Sequence, residues 1–371
     1  MSGTEREHAD ALPAGKVRGR GAGLNPGNRF EAVRLHVLGD YLDEVAAERP
    51  DGTQVLTRLY DDRSRAALNK VVDSPDIGFE WTVNPYRGCE HGCIYCYARP
   101  FHEYLGFSSG LDFETRIVVK RSAPARLRAA LARPSWRGTP IVMSGVTDPY
   151  QPVEAKLRVT RGCLEVMAEC RQPVAIITKS RLVLRDLDLL TALAKEKAAS
   201  VALSITTLDH DLAAKMEPRA SSPRARLEAV ERLAAAGGPV RVMVAPIVPG
   251  LTDHEIPQIL KAAAEAGADG AGYVLLRLPH QVKALFLEWL GQHFPDRASH
   301  VESQLRGARG GQLYDPRYFA RQRGEGARAD QIRQAFDVFR ARFGLDRPVA
   351  GLSGASFRPP AAGSGEQFRL F

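Results

Sequence analysis

Six short apolar runs, separated by segments with helical periodicity, constrain the fold of this 371-residue chain more than any other feature. The runs are "FEWTVN" (79–84), "TPIVMSG" (139–145), "PVAIITKS" (173–180), "SVALSITT" (200–207), "VRVMVAPI" (240–247) and "AGYVLLR" (271–277). In one intervening helix, "SSP" before Arg224 predicts the start and Gly237 follows the end. Short apolar strands of this kind suit a parallel sheet that is buried on both faces.

Six strand-then-helix units in series predict an α/β fold, an open partial (β/α)6 TIM-like barrel. An open doubly wound sheet is the alternative. In both folds, reactive residues gather at the carboxyl ends of the strands. The first of these ends leads into the cysteine-rich segment 89–96, and the second leads into "SGVTDPYQPVE". The mouth of a barrel is therefore the predicted site.

Five segments are expected along the chain. They are an irregular arm (1–30), an N-terminal extension (31–78), the strand–helix core (79–295), an Arg-rich C-terminal extension (296–350) and a flexible tail (351–371). The arm and tail are rich in glycine and proline, which disfavours regular structure.

Composition limits the location and the partners. The first ten residues are polar and acidic, unlike a signal peptide, and no apolar run approaches the roughly 20 residues of a membrane span. Five cysteines, three of them crowded, do not suit a secreted disulfide framework. We therefore expect a cytoplasmic protein without a membrane partner. The net charge of +8 permits an anionic partner such as nucleic acid.

"CEHGCIYC" (89–96) places Cys89, Cys93 and Cys96 within eight residues. Thiolates are soft ligands that select zinc or iron–sulfur clusters, and a closed zinc site needs four ligands. No second pair of closely spaced cysteines exists, and His91 would strain the short loop as a fourth ligand. Cys163 and Cys170 fit an apolar helical stripe and are predicted to pack in the core. Three ligands without a fourth suit a four-iron cluster that keeps one iron open.

C-x-x-x-C-x-x-C with Tyr95 before the last cysteine resembles the signature of the radical S-adenosylmethionine (SAM) enzymes. The wider segments "NPYRGCEHGCIYCYARP" and "TDPYQPVE" resemble the branch related to spore photoproduct lyase. The resemblance spans roughly residues 79–295. It implies a [4Fe-4S] cluster whose free iron binds SAM, reductive cleavage of SAM to a 5′-deoxyadenosyl radical, and an electron donor such as flavodoxin or ferredoxin.

The resemblance also implies roles for individual residues. Cys89, Cys93 and Cys96 would hold the cluster, and Tyr95 would pack near the SAM adenine. Candidates for the SAM amino group lie in "SGVTDP": Ser144, Thr147 and Asp148. Lys179 and Ser180 are candidates for its carboxylate or ribose, and "APIVPG" (245–250) resembles the segment that backs the adenine. Each also has a purely structural interpretation, such as an Asp-Pro turn at 148–149.

One departure from the lyase concerns its hydrogen-atom donor. The lyase carries a further cysteine on strand two, and "TPIVMSG" has none. Tyr150 and Tyr273 are the candidate donors in this chain. Thymine-dimer reversal by the lyase's own route is therefore not expected.

Two C-terminal features bear on partners. Residues 297–347 hold eleven arginines against six acids, and "YDPRYFARQRGEGAR" combines arginine with aromatic residues, which suits phosphates and stacked bases. The following helix is predicted to dock on the barrel through Ile332, Ala335, Phe336 and Phe339. The final "QFRLF" resembles the peptide that binds the DNA sliding clamp, with Gln367, Leu370 and Phe371 as its contacts.

Three functions compete at this point. The first is a radical SAM enzyme acting on DNA in a repair-like reaction. The second is a radical SAM enzyme with a protein or small-molecule substrate. The third is a zinc-containing nucleic-acid-binding protein without catalysis, which the six-unit core disfavours because such a module needs no scaffold of this size.

Overall fold

The computed structural model describes residues 12–13, 17–30, 55–64, 66–72, 74–143, 145–347 and 351–360. Ser144 and the tail residues Gln367, Leu370 and Phe371 lie outside the described residues. Six parallel strands form the central sheet: β1 (Trp81–Val83), β2 (Ile141–Met143), β3 (Val174–Thr178), β4 (Ala199–Ser204), β5 (Val240–Ile247) and β6 (Gly270–Leu275).

The strands lie side by side in chain order, from β1 to β6, and every neighbouring pair is parallel. A doubly wound sheet would reverse its strand order at a switch point, and this sheet has no such reversal. The partial TIM-like barrel is therefore confirmed. An antiparallel strand, Leu68–Lys70, pairs with β1 at one edge, and β6 forms the other edge.

One long helix follows each strand and packs outside the sheet. These helices are α1 (Ala123–Leu131), α2 (Val159–Cys170), α3 (Leu187–Lys195), α4 (Pro223–Ala235), α5 (Ile256–Glu265) and α6 (Val282–His293). The C-terminal extension adds α7 (Pro295–Gly307) and α8 (Ala327–Arg342). Shorter helices occupy Arg99–Leu105, Leu111–Thr115, Glu154–Leu157, Arg181–Asp186, His210–Met216, Asp253–Glu255 and Ala320–Arg323.

Two helices test the sequence patterns directly. The stripe of α2 is confirmed, because Cys163 and Cys170 are both fully buried in the main core. The boundaries of α4 are also confirmed. The Ser222 side chain accepts a hydrogen bond from the Ala225 amide, and Gly237 adopts a φ of 74° just after the helix.

The small three-stranded sheet beside the barrel orders the start of the cysteine segment. It consists of Arg58–Asp61, Arg116–Val119 and Tyr86–Arg87. Because Tyr86–Arg87 ends just before Gly88, one residue ahead of Cys89, this sheet fixes where the cysteine loop leaves the barrel. A two-residue antiparallel pairing joins Leu12–Pro13 to Leu24–Asn25.

Helix α8 docks on the barrel through three of the four predicted residues, and the fourth, Ala335, is only partly buried. Ile332 and Phe336 are buried, Phe339 packs partly buried against the core, and the Phe336 ring lies 4.6 Å from that of Tyr273 on β6. At the C-terminal side, the Arg358 amide donates to the Cys170 carbonyl at 2.8 Å. No helix among the described residues is both long enough and apolar enough to cross a membrane.

Candidate active site

The cysteine loop, residues 88–98, begins just beyond the carboxyl end of β1. Cys89 and Cys93 are buried, Cys96 is half-buried, and none of the three is in a disulfide. The loop has little regular structure. Its turns are closed by bonds from the Gly92 amide to the Cys89 carbonyl and from the Cys96 amide to the Cys93 carbonyl.

The three thiols fit the cluster that the sequence implies. Burial, a nearby Asp148 carboxylate and the other two cysteines together raise the pKa of Cys89 well above its usual value. Burial likewise raises the pKa of Cys93 and Cys96. Cys96 packs against the apolar cluster that contains Cys89 and against the one that contains Cys93, and iron binding would take up the three side chains as thiolates. No three His, Cys, Asp or Glu side chains in the described part of the chain are placed to hold a single metal ion.

The His91 side chain contacts the carboxylate of Asp148. Its ring is buried, and Nδ1 lies 3.3 Å from Oδ2 of Asp148. Asp148 also accepts hydrogen bonds from the Thr178 hydroxyl at 2.7 Å and from the amides of Lys179 and Tyr150 at 2.9 and 2.8 Å. Burial alone would raise the pKa of Asp148, but the His91 ring and these donors bring it below the usual value.

Asp148 therefore ties the cysteine loop to the end of β3. A carboxylate offers about four acceptor positions, and four donors of the chain already use this one. Its contact with the SAM ammonium stays a prediction, and the ammonium would have to share the carboxylate with these donors.

Thr147 also holds the loop. Its hydroxyl donates to the Gly88 carbonyl at 2.6 Å and accepts from the side-chain amide of Gln151 at 3.1 Å. The Asn84 side chain, after β1, accepts from the amides of Gly145 and Val146. The segment after β2 is thus bonded both to Asn84, directly after β1, and to Gly88, at the start of the cysteine loop.

Lys179, at the end of β3, belongs to a buried polar cluster inside the barrel. Its ammonium donates to the Ala245 carbonyl at 3.0 Å and lies 3.5 Å from the carboxylate of Glu217. That carboxylate also accepts from the hydroxyls of Tyr95 and Thr206, and it pairs with Arg226. Tyr95 therefore has its hydroxyl in a charged network next to the cluster ligands.

Glu217 is the centre of this polar cluster and was not predicted from the sequence. It is buried, yet its pKa lies well below the usual value. Burial would raise the pKa, and the charges of Arg226 and Lys179 outweigh that effect. Its only sequence signal is an acidic residue in "KMEPRASSP", which resembles any loop.

Ser180 and the two tyrosines lie in other settings. The Ser180 hydroxyl accepts from the Leu182 amide at 3.2 Å and so caps the short helix Arg181–Asp186. Tyr150 is fully buried, with the Arg185 guanidinium 5.9 Å from its ring centroid. Tyr273 packs against Phe336 of α8, outside the sheet. The structure does not bring either tyrosine into the polar cluster within the barrel.

Tyr97 and Arg277 occupy the open side of the mouth; Tyr97 was not predicted as a site residue, and Arg277 was expected only as the residue that ends the sixth strand. Tyr97 is 40% exposed and directly follows Cys96. Its hydroxyl donates to the Gly145 carbonyl at 3.0 Å, and the Arg277 guanidinium lies 4.9 Å from its ring centroid. The available signals were the second tyrosine of "IYCYARP" and the position of Arg277 just after the sixth strand.

We predict that Glu217→Gln lowers the melting temperature, because it leaves the buried Arg226 without a countercharge. Breaking a buried pair in this way costs about 3–5 kcal/mol. Since the pKa of Glu217 is lowered, its contribution is complete at neutral pH and is lost only on acidification below the ordinary carboxyl range. Glu228→Gln, on the exposed face of α4, is the control. Equal melting of both variants at pH 7 would contradict the prediction.

Residues 83–263 match the sequence model of the Radical SAM superfamily. An uncharacterized protein of Mycobacterium tuberculosis is 40% identical over 244 residues, which are 65% of this chain and 72% of that protein. An uncharacterized protein of Methanocaldococcus jannaschii is 32% identical over 178 residues, which are 48% of this chain and 64% of that protein.

Solved structures with the same fold include two variants of spore photoproduct lyase. One aligns with a TM-score of 0.52 at 15% identity over 85% of both chains. The other has a TM-score of 0.50 at 16% identity, over 85% of this chain and 84% of the lyase. At these identities the likeness shows the fold alone. The cysteine loop, the six-stranded partial barrel and the matched family together show that this chain belongs to the radical SAM superfamily, whose members use a [4Fe-4S] cluster and SAM.

Proposed function

We propose that this radical SAM enzyme acts on nucleic acid. The observation that carries the proposal is a hydrogen-bonded loop, residues 315–323, which presents two exposed aromatic side chains beside arginines. Tyr318 is 47% and Phe319 is 61% exposed. Exposed aromatic rings near guanidinium groups suit the stacking of bases and the binding of phosphates.

The backbone of Phe319 is strained. It has a φ of 63° and a ψ of −51°, and the Ala320 amide donates to the Tyr318 carbonyl at 2.8 Å, which closes a γ-turn. A bulky residue with positive φ is a rare outlier, and such strain persists only where the surroundings enforce it. A strained and exposed phenylalanine suggests selection for presentation of the ring.

Asp76 and Arg309 enforce this loop from opposite edges of the sheet. Asp76, in the hairpin before β1, accepts from the Phe319 amide at 3.2 Å and from Arg321 Nε at 2.6 Å. Hydrogen bonding to Arg321 is the main cause that lowers the pKa of Asp76 to about 2. Arg309 is buried and donates to the carbonyls of Leu276 and Ala320, so it joins the loop to the end of β6.

Two arginines lie beside aromatic rings, and one of them, Arg321, is also paired with Asp76. The Arg321 guanidinium lies 4.9 Å from the Tyr318 ring centroid, and that of the exposed Arg323 lies 4.1 Å from the Tyr273 ring centroid. The net charge of +8 also favours a polyanion. These features support a nucleic-acid substrate over a small molecule or a protein.

The residues of the site have separate tasks in this function. When bound, the cluster and SAM supply reductive cleavage of the sulfonium bond and abstraction of a hydrogen atom from the substrate. Cys89, Cys93 and Cys96 would hold the cluster, while Thr147 and Asp148 keep their loop in place. Membership of the superfamily sets aside the zinc-containing binding protein without catalysis.

The reaction on nucleic acid differs from that of spore photoproduct lyase in its hydrogen donor. Strand β2 spans Ile141–Met143 and contains no cysteine, and Cys163 and Cys170 are fully buried on α2. We therefore propose a related, repair-like reaction with another donor. The tail residues Gln367, Leu370 and Phe371 complete the proposal as a clamp-binding peptide that brings the enzyme to DNA.

We predict that Cys89→Ala, Cys93→Ala and Cys96→Ala each abolish iron binding and SAM cleavage, because each removes one of three anchors. Cys163→Ala and Cys170→Ala are the controls and should retain both, since those thiols only pack in the core. Iron, sulfide and 5′-deoxyadenosine are measured after anaerobic reconstitution. One zinc per chain with no sulfide in the reconstituted wild type would contradict the cluster assignment.

For Asp148→Asn we expect less bound iron after reconstitution. The new NH2 group is itself a donor, so it cannot accept the hydrogen bonds that one oxygen of the carboxylate accepted, and the cysteine loop is held less firmly. Each lost hydrogen bond costs about 0.5–1.5 kcal/mol, and more where a charge is involved. Asp61→Asn, at an exposed ion pair, is the control. If Asp148 instead serves only the SAM ammonium, iron stays at the wild-type level while SAM affinity falls about ten- to a hundredfold.

The nucleic-acid proposal is tested with Phe319→Ala and Tyr318→Ala. Binding of a fluorescent single-stranded oligonucleotide should weaken about 5- to 150-fold for each variant, because stacking on one ring contributes about 1–3 kcal/mol. Val338→Ala, an exposed apolar residue on α8, should bind as the wild type does. Two results together would favour a small-molecule or protein substrate. They are oligonucleotide binding that is unchanged in both loop variants, and a rate of 5′-deoxyadenosine formation that does not change when nucleic acid is added.

A further inference from the structure

The N-terminal segment 20–22 packs against the cysteine loop, although it precedes the region 83–263 that matches the family. We propose that this segment, here called the strap, is a part of the cluster site and positions the cysteine loop through Glu114 and Arg99. The inference rests on the cluster of the superfamily and is independent of the nucleic-acid substrate.

Glu114 receives the strap. Its carboxylate is fully buried in the short helix Leu111–Thr115. Oε2 accepts from the Gly21 amide at 2.9 Å, and Oε1 accepts from the Ala22 amide at 2.9 Å. Arg20 adds bonds to the carbonyls of Glu114 and Val55 at 2.9 and 2.8 Å. Three consecutive residues of the strap are thus fixed to the core.

Arg99 carries the connection from Glu114 to the cysteine loop. Its guanidinium is fully buried, and Nη2 lies 2.6 Å from Oε1 of Glu114. Nε and Nη2 both donate to the Cys93 carbonyl, at 3.0 and 2.8 Å, and Nη1 donates to the Gly110 carbonyl at 2.9 Å. The strap amides, Glu114, Arg99 and the Cys93 carbonyl therefore form one continuous chain of hydrogen bonds.

Two glycines allow the backbones of strap and loop to touch. A Cβ atom on Gly21 would lie 1.9 Å from the carbonyl oxygen of Gly92, which is in the loop between Cys89 and Cys93. Gly92 has a φ of 68°, and a Cβ there would lie 2.6 Å from Oε2 of Glu114. A side chain at Gly21 would have to push the strap away from the loop, and one at Gly92 would displace the Glu114 carboxylate that holds the strap.

The strap also covers the loop. Ala22 is buried in an apolar cluster with Cys93, Ile94 and Tyr95. The shell around a metal site controls solvent access, and residues that hold the ligands from outside commonly change metal affinity 10- to 100-fold when mutated. We therefore expect disruption of the strap to make the cluster labile.

The test compares Gly21→Ala with Gly23→Ala, the same change two residues apart. At Gly23 the new Cβ would meet the flexible carboxylate of Glu288 at 3.0 Å, whereas at Gly21 it would meet backbone. Iron release to a chelator is measured anaerobically on reconstituted protein, alongside the melting temperature of the cluster-free chain. Gly21→Ala should release iron at least about tenfold faster, with little change in cluster-free melting, and Gly23→Ala should match the wild type.

Glu114→Gln provides a second variant in case Gly21→Ala does not fold. It keeps the shape of the side chain but removes the charge that pairs with the buried Arg99, so it should lower the melting temperature of the cluster-free chain and also speed iron release. Wild-type release from both Gly21→Ala and Glu114→Gln would overturn the proposal. It would equally be overturned if Gly21→Ala lowered the melting temperature of the cluster-free chain by as much as Glu114→Gln does, because the strap would then serve the fold alone.

Discussion

A loop that holds a metal cluster has little backbone hydrogen bonding of its own, so its shape must come from side chains around it. In this chain three residues supply most of that shape: Asp148 through His91, Thr147 through the Gly88 carbonyl, and Arg99 through the Cys93 carbonyl. Each attaches to a different part of the loop, and two of them lie on the segment that follows β2. The position of the site at the carboxyl ends of parallel strands is what brings these segments together.

Burial of charge accompanies this arrangement. Glu217 with Arg226, and Glu114 with Arg99, are ion pairs with almost no solvent exposure. Isolated charges in such places would be costly, and both carboxylates offset the cost with additional donors. Lys179 adds a third charge whose partners, Glu217 and the Ala245 carbonyl, come from different units of the barrel. The polar cluster inside the barrel therefore gathers two cations, Lys179 and Arg226, around the one carboxylate of Glu217.

The sequence predicted what depends on local pattern. The six strands, the buried stripe of α2 and the start of α4 follow from periodicity and capping within short windows. The cysteine spacing predicted the cluster for the same reason. The sequence correctly predicted that Asp148 lies at the carboxyl end of β2. It did not predict that other residues of the chain already donate hydrogen bonds to this carboxylate, because His91, Thr178 and Lys179 are distant in sequence. The Gly21–Glu114 contact spans 93 positions, and no periodicity encodes it.

The two chain extensions now have distinct places around a shared core. The strap lies before the matched region and holds the loop of cluster ligands. The 315–323 loop lies after it and bridges the edges of the open sheet through Asp76 and Arg309. The M. tuberculosis relative aligns with only 65% of this chain, so its similarity does not by itself extend to both additions. Because the core supplies the chemistry common to the superfamily, we expect the residues that border the mouth of the barrel to determine which substrate is bound. On the open side that border includes Tyr97 and Arg277, which the barrel itself contributes. The strained Phe319 is the feature of this border that packing alone does not explain.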